Sequence, residues 1–155
     1  MREIIPGLWQ GDISDLNVLK LETARKNLGF TLAINVADIA FVPPHVPTIV
    51  IPMQDVETLT DPCRELNPWP VIVDSVTLAL DELERGGKIL VACAAGLSRS
   101  VTFIAMMLAL RNGLDMREDR TKLMEIVGGM PSYTLWDDAA NALEVNALEA
   151  NREGY

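Results

Sequence analysis

The chain has 155 residues, of which 49% are hydrophobic and 23% charged, and it carries a formal net charge of −9. Length and composition suit a single globular domain over residues 1–155 with one well-buried core, not a disordered chain. The acidic balance argues against electrostatic binding to nucleic acid or to an anionic membrane, both of which need concentrated positive charge.

In chain order, "EIIPGLWQGD" reads as a short edge strand or strand pair, interrupted by Pro6 and Gly7. Ser14 is placed to cap a helix running to about Leu28, with Gly29 as its stop. "FTLAINVAD" is an apolar run of buried-strand length, and after the turn-rich "FVPPHVP" a second strand follows, "TIVIPM". Residues 55–66 are polar and irregular, hence a loop. Asn67 and Pro68 have the chemistry of an N-cap and first helical position, opening a helix that Gly86 and Gly87 end. "KILVA" is a buried strand. Three helices complete the chain: one after the cysteine-containing loop that ends at "RNG", one over "MREDRTKLMEIVG", and one from about Thr134 to Ala150. This alternation of strands and helices predicts an α/β fold with a largely parallel central sheet flanked by helices. Ligands in such sheets gather at the carboxyl ends of the strands, and both Cys93 and Asp55 lie just past such an end.

Other features narrow the setting. The apolar run Val101–Leu110 suits a buried helix and is too short to span a bilayer. The N-terminus lacks a signal-peptide apolar core, and two cysteines form no disulfide framework, so a reducing, cytoplasmic setting is expected. One histidine, His45, sits in a proline-rich loop with no Cys/His cluster around it, so no metal and no cofactor is called for. Met106 and Met107 and the three tryptophans read as core or rim packing. In the acidic last helix, Leu135, Leu143 and Leu148 are expected to turn inward.

The chemistry concentrates in "VACAAGLSRSVT". Between Cys93 and Arg99 lie Ala94, Ala95, Gly96, Leu97 and Ser98, small residues but for the leucine. Between a strand and a helix, such a loop can curl so that successive amides point inward as an anion nest, aided by the helix dipole. The same field favours a thiolate at Cys93. Arg99 contributes a planar fork that can grip two oxygens of one phosphoryl group. Thiolate, amide cage and fork together specify attack on a tetrahedral dianion, with a cysteinyl-phosphate as product.

This loop resembles the signature loop of the cysteine-dependent protein tyrosine phosphatase superfamily, in particular the small, atypical dual-specificity group, whose loop typically reads V-H-C-x-A-G-x-S-R-S. "GLWQGD", "LAINVAD" and "IPMQD" resemble that group's opening strand pair, second strand and acid-bearing strand. "GMPSYTLW" is a looser match to a later stretch, with Ser132 where asparagine is usual. The resemblance implies a hydrolase of phosphotyrosine, and of phosphoserine or phosphothreonine, in phosphoprotein substrates. It implies Cys93 as nucleophile and the amides of Ala94 to Arg99, with the Arg99 side chain, as the phosphate-binding set. Ser100 would assist the leaving thiolate, and Asp55 would act as general acid and then base, without a metal.

Two points stay open. Asp55 lies 38 residues before Cys93, farther than the family's usual spacing, whereas Asp61, at 32 residues, fits the spacing but lies in mid-loop. Asp55 is preferred because a rigid strand end positions a carboxylate better. The second is Ala92, which stands where the family has histidine. Its expected consequence is a less reactive Cys93 than in relatives. A phosphate-binding pseudophosphatase is the alternative this supports. A phosphatase of a non-protein phosphoester is a further alternative, disfavoured by the acidic chain and the lack of lysine in the loop.

Overall fold

Strand β5 (Ile89–Cys93) is buried at every residue, because it runs down the middle of a five-stranded sheet with side chains covered on both faces. The other strands are β1 (Arg2–Ile5), β2 (Leu8–Asp12), β3 (Leu32–Asn35) and β4 (Thr48–Val50), and the order across the sheet is β1-β2-β5-β3-β4. Only the edge strand β1 is antiparallel to its neighbour; β2, β5, β3 and β4 run parallel. The structure is a computed structural model that describes residues 1–39, 41–43 and 45–153. The α/β architecture expected from the alternating pattern is the one observed.

Alternation along β5 divides the interior. Ile89, Val91 and Cys93 face the larger core, which they share with Phe103, Ile104 and Trp136. Leu90 and Ala92 face a smaller cluster of Leu16, Leu19, Phe30, Ala33 and Val46 on the other side. The helices α3 (Trp69–Glu84), α4 (Arg99–Asn112), α5 (Arg120–Val127) and α6 (Tyr133–Glu153) cover the larger core. In α4 every residue from Ser100 to Ala109 is buried, as expected of a helix with no polar stripe.

Several boundaries differ from those the sequence suggests, each for a visible reason. The single helix expected from Ser14 to Leu28 is two, α1 (Ile13–Val18) and α2 (Glu22–Leu28). Leu16 and Leu19 seat themselves in the smaller core, and the chain then turns outward, so α2 has no fully buried residue. Asp12, not Ser14, caps α1: its carboxylate accepts from the amides of Ser14 (2.9 Å) and Asp15 (3.2 Å), and Asp15 reciprocates from the side chain. Asn67 does not cap α3, because its side chain is engaged with the backbone of Gln54. Residues before α5 form a separate turn, in which Asp115 accepts from the amides of Arg117 and Glu118. Within residues 55–66 lies a 3₁₀ helix, Pro62–Leu66. Leu135 is fully buried and Leu143 partly so, but Leu148 is 66% exposed, since α6 runs on beyond the core.

Because the parallel strands share a direction, their following segments meet at one edge. Pairing sets Cys93 beside Asp12 and Ala92 beside Asn35, which in turn pairs with Val50. The loops after β5, β3 and β4 therefore converge there.

Candidate active site

Cys93 is the last residue of β5 and Arg99 the first of α4, so the five residues between them make the tight strand-to-helix turn expected. The curl depends on Gly96, whose φ of 70° is left-handed. A side chain there would also press within 3.0 Å of the Gly11 carbonyl oxygen. With this geometry the Gly96 amide donates to Cys93 Sγ at 3.2 Å, and Ser100 Oγ lies 3.3 Å from the same sulfur. Among the described residues, the amides of Ala95, Leu97 and Ser98 donate to no protein acceptor. They leave donors available to an anion, as the first turn of a helix does.

Gln10 on β2 braces this loop. Its side-chain amide donates to the Gly96 carbonyl and, at 3.1 Å, to Ser100 Oγ. Accepting from Gln10 leaves the Ser100 hydroxyl its proton, which it can donate to a Cys93 thiolate at 3.3 Å. Burial pushes the Cys93 thiol up. The Ser100 hydroxyl, the amides of Ser100 and Gly96, and the charge of Arg99 together outweigh burial and hold it below the ordinary cysteine value. This happens without a histidine at position 92. Ala92 is fully buried on the opposite face of the sheet, in the apolar cluster with Leu16, Phe30 and Val46.

Arg99 reaches across the carboxyl ends of two other strands. Its Nη1 donates to the Met53 carbonyl at 3.0 Å and to Asp38 Oδ1 at 3.2 Å, with the side chain only 12% exposed. The guanidinium is thereby fixed by one nitrogen, and a planar fork so anchored keeps its orientation.

Asp55 lies against the loop: its Oδ1 accepts from Ser98 Oγ at 2.8 Å. Ser98 is buried and also accepts from the Ser132 amide at 3.0 Å. Ser132 in turn donates its hydroxyl to the Val56 carbonyl, and Thr134 donates to the Glu57 carbonyl at 3.1 Å. Asn67 holds the preceding residue through a pair of bonds to Gln54, at 2.7 and 3.1 Å. Asp61 is engaged elsewhere, where its carboxylate caps the 3₁₀ helix by accepting from the Cys63 amide at 2.9 Å.

The fold thus gathers Cys93, Arg99, Ser100, Asp55 and the amides of residues 94–99, and leaves Asp61 in a capping role. Sequence reasoning missed Gln10, Asp38 and Asn67. Gln10 carried a signal, a polar residue beside a glycine in a buried strand. Asp38 carried another, since it closely follows the end of β3 at Asn35. The strand expected over "TIVIPM" ends at Val50, so Asp55 lies beyond it in irregular chain and not at a strand end.

The dual specificity phosphatase, catalytic domain, matches residues 14–129. The chain belongs to this family. It is a cysteine-dependent phosphatase of the dual-specificity type. Human DUSP28 aligns over 96% of this chain and 99% of its own, with 19% identity and a TM-score of 0.72. A human tyrosine phosphatase-like serine/threonine/tyrosine-interacting protein aligns over 96% and 97%, with 21% identity and a TM-score of 0.68. A mouse putative dual specificity phosphatase, solved with zinc tungstate, aligns over 96% and 89%, with 18% identity and a TM-score of 0.73. At these identities the likeness is one of fold. No curated protein matches the chain in sequence. None of the described helices is long and apolar enough to cross a membrane.

Proposed function

We propose that this phosphatase hydrolyses phosphotyrosine, and phosphoserine or phosphothreonine, in protein substrates through a cysteinyl-phosphate. The Cys93 thiolate attacks phosphorus, and the bond from phosphorus to the leaving oxygen breaks. The Asp55 carboxyl group gives that oxygen its proton. Asp55, now a carboxylate, takes a proton from water as the water attacks phosphorus; the sulfur–phosphorus bond breaks, releasing phosphate and the thiolate. The Ser100 hydroxyl stabilises the departing sulfur. Arg99 and the amides of residues 94–99 bind the three non-bridging oxygens, where most of the rate gain in phosphoryl transfer arises.

The observation that carries this reading is the convergence of the Gly96 amide and the Ser100 hydroxyl on Cys93 Sγ. Two donors on a buried sulfur favour its charged form, and a neutral structural thiol has no use for them. Protein substrates are supported by the loop's rim, where Leu97 is 50% exposed and Met130, whose amide donates to the Leu97 carbonyl, is 76% exposed. Asp38 and Asp55 at the site disfavour a polyphosphorylated ligand.

Single-turnover reaction with p-nitrophenyl phosphate, quenched in acid, tests the reading. A phosphoenzyme should accumulate that is absent in Cys93→Ser, while that variant still binds tungstate. Binding without any phosphoenzyme in the unaltered protein would assign the chain to phosphate binding alone, the pseudophosphatase alternative.

A further inference from the structure

A concavity of about 700 Å³ is lined by no residue of the cysteine loop. It runs between the start of α3 and the outer half of α6. Its floor is apolar, formed by Trp69, Val73, Ala142 and Val145. Three carboxylates rise from its walls, Glu65, Asp74 and Glu149, and none of them is in an ion pair among the described residues. The lining cation, Arg64, is already paired with the nearly buried Asp138 through bonds of 2.8 to 3.2 Å. The groove lining therefore carries more carboxylates than cations around an apolar bed, with Arg152 farther along α6 in the adjoining concavity that Glu149 also lines.

Its shape continues along α6. That helix has its last partly buried residue at Leu143, and residues 144–152 are exposed, with Val145 at 53% and Leu148 at 66%. A bed that extends into an exposed apolar strip suits an elongated occupant better than a compact small molecule. Self-association through this face would oppose like charges, since each copy brings the same carboxylates and a net charge of −9.

We propose that the α3–α6 groove is a docking site for a basic amphipathic segment of a protein partner. Apolar side chains of that segment fill the bed over Trp69 and Val73, and its lysines or arginines meet Glu65, Asp74 and Glu149. The proposal does not depend on the chemistry assigned to Cys93, because no groove residue belongs to that machinery.

Isothermal titration calorimetry on the whole chain decides it. The probe is a synthetic helical peptide of about a dozen residues with leucines on one face and lysines on the other, compared with its glutamate-for-lysine counterpart. The lysine peptide should bind and the glutamate peptide should not, and binding should weaken as ionic strength rises from about 0.05 to about 0.5 M. The double variant Asp74→Lys/Glu149→Lys should lose about tenfold or more in affinity, with its circular dichroism melting curve showing that it folds. Equal binding of both peptides, no binding of the lysine peptide, or undiminished binding by the double variant overturns the proposal. So does a dimer in sedimentation velocity that Val145→Asn dissociates, which gives the groove to a second copy.

Discussion

The cysteine loop and the acid-bearing segment deliver their groups to the same edge of the sheet by different means. The first is local. Five residues join β5 to α4, and a left-handed glycine with a helix N-terminus sets the curl. Gln10 braces it at Gly96, and the Met130 and Ser132 amides brace it at Leu97 and Ser98. The second runs from Met53 to Asn67 with only a single 3₁₀ turn of its own, and it is held almost entirely by distant partners. Asn67 grips Gln54, Ser98 grips Asp55, and Ser132 and Thr134 grip the backbone of Val56 and Glu57. Short loops can be rigid through their own backbone, whereas long irregular ones need tertiary anchors to lose their conformational freedom.

The comparison predicts where damage is severe and where it is graded. Asp55→Asn should slow substrates with poor leaving groups by roughly 10²- to 10⁴-fold and affect p-nitrophenyl phosphate far less. Asp61→Asn should lack that leaving-group signature, and the reverse pattern would sink the assignment. In the cysteine loop, Arg99→Lys should lower turnover by about 10²- to 10³-fold, because a point charge replaces an oriented fork. Tungstate affinity measured alongside should fall too.

Anchors should cost less than the groups they hold. Ser98→Ala frees Asp55 from its tether and should cost about tenfold on poor leaving groups, since positioning alone is altered. Little change is expected on p-nitrophenyl phosphate; equal losses on both would mean that Ser98 acts on the phosphate and not on the acid. Ser100→Ala removes a donor to the sulfur, so the Cys93 pKa should rise. A thiolate persists only above its pKa, so the pH profile of alkylation by iodoacetate should move to higher pH. A profile unmoved by this change would leave the amides as the whole cause.

The smallest effect concerns Ala92. Because it is sealed among Leu16, Phe30 and Val46, Ala92→His should overpack the smaller core and destabilise the chain by about 1–3 kcal/mol, read from urea unfolding. Its effect on Cys93 reactivity is then best compared at matched stability.

What the amino-acid sequence determined by itself is what local rules govern. The parallel α/β pattern, the strand-to-helix turn at Cys93–Arg99 and the buried helix after it all follow from periodicity, glycine placement and a run without polar residues. Asp55 stands out in sequence on a strand expected to run through Met53, but β4 ends at Val50 and Ser98 holds the carboxylate instead. The tertiary structure alone decided the rest. Gln10 meets Gly96 across 86 positions and Asn67 turns from capping a helix to holding Gln54. Asp38 meets Arg99 across 61 positions, and Asp61 is drawn to a cap. A side chain with two available partners takes whichever the packing brings within hydrogen-bond reach, and that choice is made by contacts distant in sequence. The same holds for α6, whose leucines look alike in sequence. Leu135 is buried and Leu148 exposed only because the core ends between them.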